Sequence, residues 1–214
     1  MKSTRLILIR HGESQCNLDG LIGGEKSCTG LSTEGFRQVK LLAKRFEASG
    51  ELVGATALYA STLLRAIQTA EGIASQIEGV DIVVRRDLSE LMPGDADGLK
   101  WMEFFEKYGE TNFRDNPFRE VAPNGESWAS FIERAANALM EIVSSNYGER
   151  VVVACHGGVI QASMVTFLGL SDFGTKAGLR PYYTSVTDWK IDGDSWRLLK
   201  YNDYSHLKLL GESE

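Results

Sequence analysis

Leu6-Ile7-Leu8-Ile9-Arg10-His11-Gly12-Glu13-Ser14 is an apolar run of strand length that stops on a cation, an imidazole and a glycine. Arginine is always charged and offers a fork of donors matched to phosphate oxygens, while histidine is commonly a neutral nitrogen base near pH 7. A strand ending this way sets a nucleophile beside an anion clamp.

Three further apolar runs of strand length occur at Ala57 to Ala60, Ile82 to Val84 and Val151 to Cys155. Between them lie stretches of helical period. Phe36, Val39, Leu42, Ala43 and Phe46 repeat through Ser32 to Ala48, where Ser32 can cap the first turn, and Phe131, Ala135, Leu139 and Ile142 repeat through Ser127 to Val143. Leu63 to Ile77 reads the same way. The alternation predicts an α/β fold of three layers, α/β/α. Thr184 to Ile191 and Trp196 to Tyr201 flank an Asp192-Gly193-Asp194 turn, a hairpin signal that makes the mostly parallel sheet mixed. In such sheets ligands gather beyond the carboxyl ends of the strands, where helix N-termini offer free N–H groups to anions.

Two other strand ends carry suitable groups. The second strand runs into Ser61 to Ala70, with Arg65 in the first turns of a helix, where a cation opposes the helix dipole. A solvated surface arginine is the alternative there. The fourth strand ends at Cys155-His156-Gly157-Gly158, and the two glycines leave the backbone open to close ligand approach. His156 taken alone reads equally as a structural histidine; a second strand-end His-Gly favours two imidazoles facing each other across a phosphate.

The bulk composition narrows the partners. At 214 residues the chain can bury a core unaided, and it reads as one domain over 1–214. A net charge of -6 without a basic stripe argues against nucleic acid. No apolar run approaches bilayer length, and no signal region is read at the N-terminus, so no membrane partner is expected. Cys16, Cys28 and Cys155 make an odd count without metal-type spacing, which fits free thiols in a reducing, cytoplasmic setting. Oligomeric state is not readable.

Arg10-His11-Gly12-Glu13-Ser14 with Asn17, the Ser61 to Ala70 segment and His156-Gly157-Gly158 together resemble the histidine phosphatase superfamily, in its phosphoglycerate-mutase-like branch. Glu90 in Leu88-Ser89-Glu90, followed by Gly94 and Asp97-Gly98, resembles the family's acid segment, and Pro123-Asn124-Gly125-Glu126-Ser127 a further element before a helix. The resemblance implies that His11 accepts the phosphoryl group and that Arg10, Arg65 and His156 hold its oxygens, with Asn17 lining the same pocket. It implies that Glu90 protonates the leaving alkoxide, a dianionic substrate beside it keeping it protonated, and then activates water. Loose phosphoryl transfer asks mainly for in-line placement and charge stabilisation, so neither metal nor cofactor is expected. His206 reads as structural or as pocket support, and Glu13 as structural.

Departures from the family pattern favour hydrolysis of a small phosphorylated metabolite. Asp95-Ala96-Asp97-Gly98 lacks the usual aromatic, Gly23-Gly24 lacks the hydroxyl expected in mutases, and Leu91 to Asn124 lacks their paired arginines. Trp101, Phe104, Phe105, Tyr108, Phe113 and Phe118 suggest a small aromatic-rich cap over roughly 99–123, its helical stripe read chiefly as packing. Arg114 and Arg119 are candidates for a second anionic group, or solvated surface residues. The alternatives are a cofactor-dependent phosphoglycerate mutase, a regulatory module that binds without turnover, and a phosphatase of phosphorylated protein side chains.

Overall fold

The computed structural model describes residues 2–110, 115–170 and 178–208. Six strands, β1 (Thr4–Arg10), β2 (Ala55–Ser61), β3 (Ile82–Arg85), β4 (Arg150–Cys155), β5 (Val186–Asp192) and β6 (Ser195–Asp203), form one sheet in the order β3-β2-β4-β1-β5-β6. The first four are parallel, and β5 and β6 add the expected antiparallel hairpin on the β1 side.

Alternation along the central strands explains the layers. Leu6 and Leu8 of β1, with Val151, Val153 and Cys155 of β4, face one core, while Ile7 and Ile9, with Val152 and Ala154, face the other. Helices α2 (Thr33–Ser49) and α3 (Leu64–Ala74) cover the second face; α5 (Trp128–Ser145) and α6 (Gly157–Phe167) cover the first. Ser32 caps α2 by accepting from the Gly35 amide at 3.0 Å, as expected, and Ser127 caps α5. Three short helices, α1 (Gln15–Leu18), α4 (Trp101–Tyr108) and α7 (Ser205–Lys208), complete the α-helices among the described residues, with 3-10 turns at Arg86–Leu88 and Gly94–Ala96. The architecture is the α/β fold of three layers anticipated from the strand and helix periods.

Three local expectations are corrected. Phe36, counted on the buried face of α2, is 51% exposed, whereas Val39, Leu42 and Phe46 are buried. Helix α6 escaped the period analysis because Val159, Ile160, Ala162, Ser163, Met164 and Val165 are all buried, so no polar face alternates with the apolar one. In α4 only Phe104 is fully buried, against Ala96, Ala122, Ile22 and Leu99, with Tyr108 packed alongside; Trp101, Phe105 and Phe118 are exposed. An eight-residue helix with one satellite cluster beneath it can bury one stripe position, not the whole stripe. Arg119 donates to the Tyr108 carbonyl at 2.7 Å, while Phe113 and Arg114 lie outside the described residues.

The register of β1 against β4 carries the functional consequence. Arg10 is level with Cys155, so the next residues, His11 and His156, leave the sheet side by side, and the His11 amide donates to the Cys155 carbonyl at 2.9 Å. Their rings stand 5.1 Å apart at 60°.

Candidate active site

His11 is 3% exposed, and its two ring nitrogens have different partners. Nδ1 lies 2.6 Å from the Gly12 carbonyl, which can only accept, and Nε2 lies 3.2 Å from Arg65 Nε, which can only donate. The tautomer is therefore Nδ1–H, with the Nε2 lone pair turned into the pocket. Burial first, then the Arg65 and Arg10 guanidinium groups, hold the His11 pKa well below its ordinary value. The ring is thereby held in its neutral form more strongly than a free imidazole. Gly12 is required by close approach: a Cβ there would stand 2.7 Å from the Gly35 carbonyl, where α2 begins against the loop.

Arg65, at the second position of α3, is 4% exposed, so the surface alternative is overturned. Besides His11 it donates to the Gly23 carbonyl at 3.1 Å and to Cys16 Sγ at 3.8 Å. Gly23 cannot carry a side chain, because its Cβ would fall 2.3 Å from Cys16 Sγ. The missing hydroxyl is thus a consequence of packing. One turn on, Thr69 accepts from the Gly12 amide at 3.1 Å and donates to the Arg65 carbonyl at 2.7 Å, tying the two motifs together.

Arg10 donates to the Pro181 carbonyl and lies 4.2 Å over the Tyr183 ring. Its Nε is buried and has no partner among the described residues, and the same holds for Nδ1 of His156. Unsatisfied buried nitrogens cost about 1–3 kcal/mol each unless a ligand completes them. His156 is fully buried, its Nε2 2.8 Å from Ser61 Oγ, and burial and the surrounding cations hold its pKa well below the ordinary value too. For both histidines the unfolded chain binds the proton more readily, so stability is expected to fall as pH drops through 6.5. Urea melts across that range check this, with His11→Ala and His156→Ala reducing the slope.

Glu90 reaches the same end of the sheet from the loop after β3. Its Oε2 accepts from the Gly158 amide at the start of α6 at 3.0 Å, and Oε1 from the Leu91 amide at 3.0 Å. Arg134, on α5, holds this loop by donating to the carbonyls of Asp87 at 2.7 Å and Ser89 at 3.1 Å, while forming a two-bond pair with Glu126 at 2.6 and 2.7 Å. Glu126 also accepts from the Met92 amide at 2.9 Å. The Pro123 to Ser127 element therefore serves to fix the acid loop. A methyl at Gly158 would stand 2.1 Å from Glu90 Oε1 and 2.8 Å from the Phe131 ring. Gly158→Ala is expected to push Glu90 aside and lower kcat on alkyl phosphates by about 10²-fold. With p-nitrophenyl phosphate, whose leaving group needs no proton, the loss should be much smaller; steady-state kinetics on both substrates check the difference.

The remaining anticipated residues divide. Asn17 lies on α1 and is exposed, its Oδ1 accepting from Ser14 Oγ at 2.6 Å; the described contacts join it to that turn rather than to His11. Glu13 accepts from Ser32 Oγ at 2.7 Å, a structural tie to the cap of α2. His206 supports the pocket from behind: its Nε2 bonds Thr184 Oγ1 at 2.8 Å, and the Thr184 amide donates to the Arg10 carbonyl at 3.0 Å. Thr184 has φ 56, a left-handed conformation rare for a β-branched residue and held here by these bonds. Tyr183, beside it, was not singled out in the sequence; its ring lies 5.9 Å from that of His11. A Tyr-Thr pair between helix and strand carries no sequence signal of its own, and neither does Arg134 in mid-helix.

A neutral buried histidine beside two arginines, faced by a second histidine and a loop carboxylate at the ends of parallel strands, is an arrangement suited to a phosphate group. Comparison with known proteins agrees. The sequence profile of the histidine phosphatase superfamily (branch 1) matches residues 6–204, and the chain belongs to that family. A metal-independent phosphoserine phosphatase of Arabidopsis thaliana is 32% identical over 211 residues, covering 97% of this chain and 85% of that protein. The solved structure of Bacillus stearothermophilus YhfR superposes with a TM-score of 0.82 at 28% identity, covering 96% of this chain and all of that one. A phosphoserine phosphatase from Entamoeba histolytica, solved with phosphoserine, gives 0.76 at 25% identity over 95% and 99% of the two chains.

Proposed function

We propose that the chain is a metal-independent phosphatase of a small phosphorylated metabolite, acting through a phosphohistidine on His11. The observation that carries this reading is the cluster at one sheet edge: the His11 Nε2 lone pair facing Arg65 Nε at 3.2 Å, with Arg10 Nε and His156 Nδ1 buried and without a partner among the described residues. His11 Nε2 attacks phosphorus in line, the N–P bond forms, and the bond to the leaving oxygen breaks. Arg65 Nε, which faces that lone pair at rest, turns to a phosphoryl oxygen together with Arg10 and His156. Glu90 gives its proton to the leaving alkoxide, then takes one from the attacking water, whose oxygen displaces neutral His11 and releases phosphate.

Glu90 also borders a cavity of about 230 Å³ into which the leaving group extends. Lys26, Arg86, Glu25, Asp95 and Asp97 among its lining residues give it charges of both signs, Arg86 pairing with Glu25 at 2.9 Å, and a cavity so lined suits a zwitterionic leaving group better than a neutral sugar. A phosphorylated hydroxy amino acid such as phosphoserine, the compound named for two of the relatives, meets that description. We read 1–214 as one catalytic domain with 99–123 as its cap, and the unpaired cysteines support a cytoplasmic setting. No helix of the described residues is long and apolar enough to cross a membrane.

The test is phosphate release from p-nitrophenyl phosphate and a panel of phosphorylated amino acids, sugars and glycerates in the presence of EDTA. Turnover that survives EDTA and ranks phosphoserine above sugar phosphates is the expected result. Release only with added divalent metal, or phosphate exchange only with a bisphosphorylated primer, would overturn it.

A further inference from the structure

Ser61, the last residue of β2, and His156, the first after β4, meet at the same end of two adjacent parallel strands, since Ala60 is level with Ala154. Both are fully buried, and Ser61 Oγ lies 2.8 Å from His156 Nε2. Which of these two atoms carries the shared proton decides what the ring offers at its other nitrogen, Nδ1, which is buried and has no partner among the described residues.

A hydroxyl has one proton and two acceptor positions. One acceptor position of Ser61 is taken by the Leu63 amide, which donates to Oγ at 3.2 Å where the chain turns into α3. Two neighbours compete for the proton, His156 Nε2 at 2.8 Å and Ser89 Oγ at 3.4 Å. The longer contact lies beyond the range of a good O–H···O bond, and Ser89 already pairs with Thr62 Oγ1 at 2.9 Å.

We infer that Ser61 is a positioning residue for His156: its hydroxyl donates to Nε2, which places the proton of the neutral ring on Nδ1 and makes that nitrogen a donor. The alternative tautomer presents a bare lone pair there. A phosphoryl oxygen is attracted by an N–H and repelled by a lone pair, so only the Nδ1–H form can join Arg10 and Arg65 in holding it. Without the Ser61 hydroxyl the proton is free to move to Nε2, where a histidine side chain without partners chiefly carries it. The effect on turnover rests on the role proposed for His156; the tautomer does not.

The experiment reads the ring nitrogens by long-range ¹H–¹⁵N correlation spectra of the full chain at mildly alkaline pH, with His156 assigned from the signals lost in His156→Ala. In the wild type, Nδ1 should resonate as a protonated nitrogen and Nε2 as an unprotonated one. In Ser61→Ala the two should exchange character, and kcat/KM for p-nitrophenyl phosphate should fall about tenfold or more. A wild-type proton on Nε2 would overturn the assignment, and an unchanged pattern in Ser61→Ala would remove Ser61 from its control. Exchanged nitrogens with kcat/KM within about twofold of the wild type would break the link to phosphoryl binding. The wild-type spectrum decides the tautomer even if no phosphate ester is cleaved or Ser61→Ala does not fold.

Discussion

Replacing His11 with alanine is expected to lower kcat by about 10⁴-fold or more while leaving the binding of inorganic phosphate measurable. Arg10, Arg65 and His156 hang on separate elements, β1, α3 and the end of β4, and none depends on the His11 ring for its backbone position. Removing the ring also relieves a buried imidazole of its cationic neighbours, so the variant should melt no lower than the wild type at pH 5. Rapid quench of the wild type should trap a phosphoenzyme that is labile to acid and stable to alkali, absent from His11→Ala. Residual turnover within about tenfold of the wild type would remove His11 from the chemistry altogether, whatever the ligand affinity.

Replacing Arg65 with alanine should cost about 10²–10³-fold in kcat, the usual loss when one preorganised donor to a developing anion is removed. It should also change the pH profile in a defined direction. Burial and Arg65, in that order, hold the His11 pKa down, so without the guanidinium it rises toward 6.5. His11 must be neutral to attack, hence the acidic limb of kcat/KM should move to higher pH in Arg65→Ala. Arg65→Lys keeps a charge and should preserve much of the wild-type limb, but it cannot reach His11, Gly23 and Cys16 together, so its kcat should stay low. An unmoved limb in Arg65→Ala would place the guanidinium outside the electrostatics of His11.

Much of this site was legible before any coordinates because its residues are consecutive with strand ends. An apolar run has to end where the sheet ends, and a histidine directly after such a run can only lie at the rim, so His11 and His156 could be paired from sequence. Glu90 and Arg65 were legible through motif resemblance, since a loop carboxylate and a helical arginine are common anywhere. Asn17, which follows the motif in sequence, accepts from Ser14 Oγ across its turn, a contact that the motif does not specify. Glu126 was visible only as part of the Pro123 to Ser127 element and Arg134 not at all, because a mid-helix arginine and a pre-helix glutamate acquire meaning only when α5 crosses the acid loop.

The sequence by itself therefore determined the three layers, the mixed sheet and the strand ends at which chemistry gathers, because periods of 2 and 3.6 and the position of polar residues after apolar runs are local properties. Tertiary structure alone decided the tautomer of His11, the seating of Glu90 on α6, and the placing of Arg65 between His11 and Cys16. Each depends on which carbonyl, amide or sulfur from a distant segment arrives within about 3–4 Å, and the strand register and the glycine contacts that fix such distances are set by the packing of the whole chain.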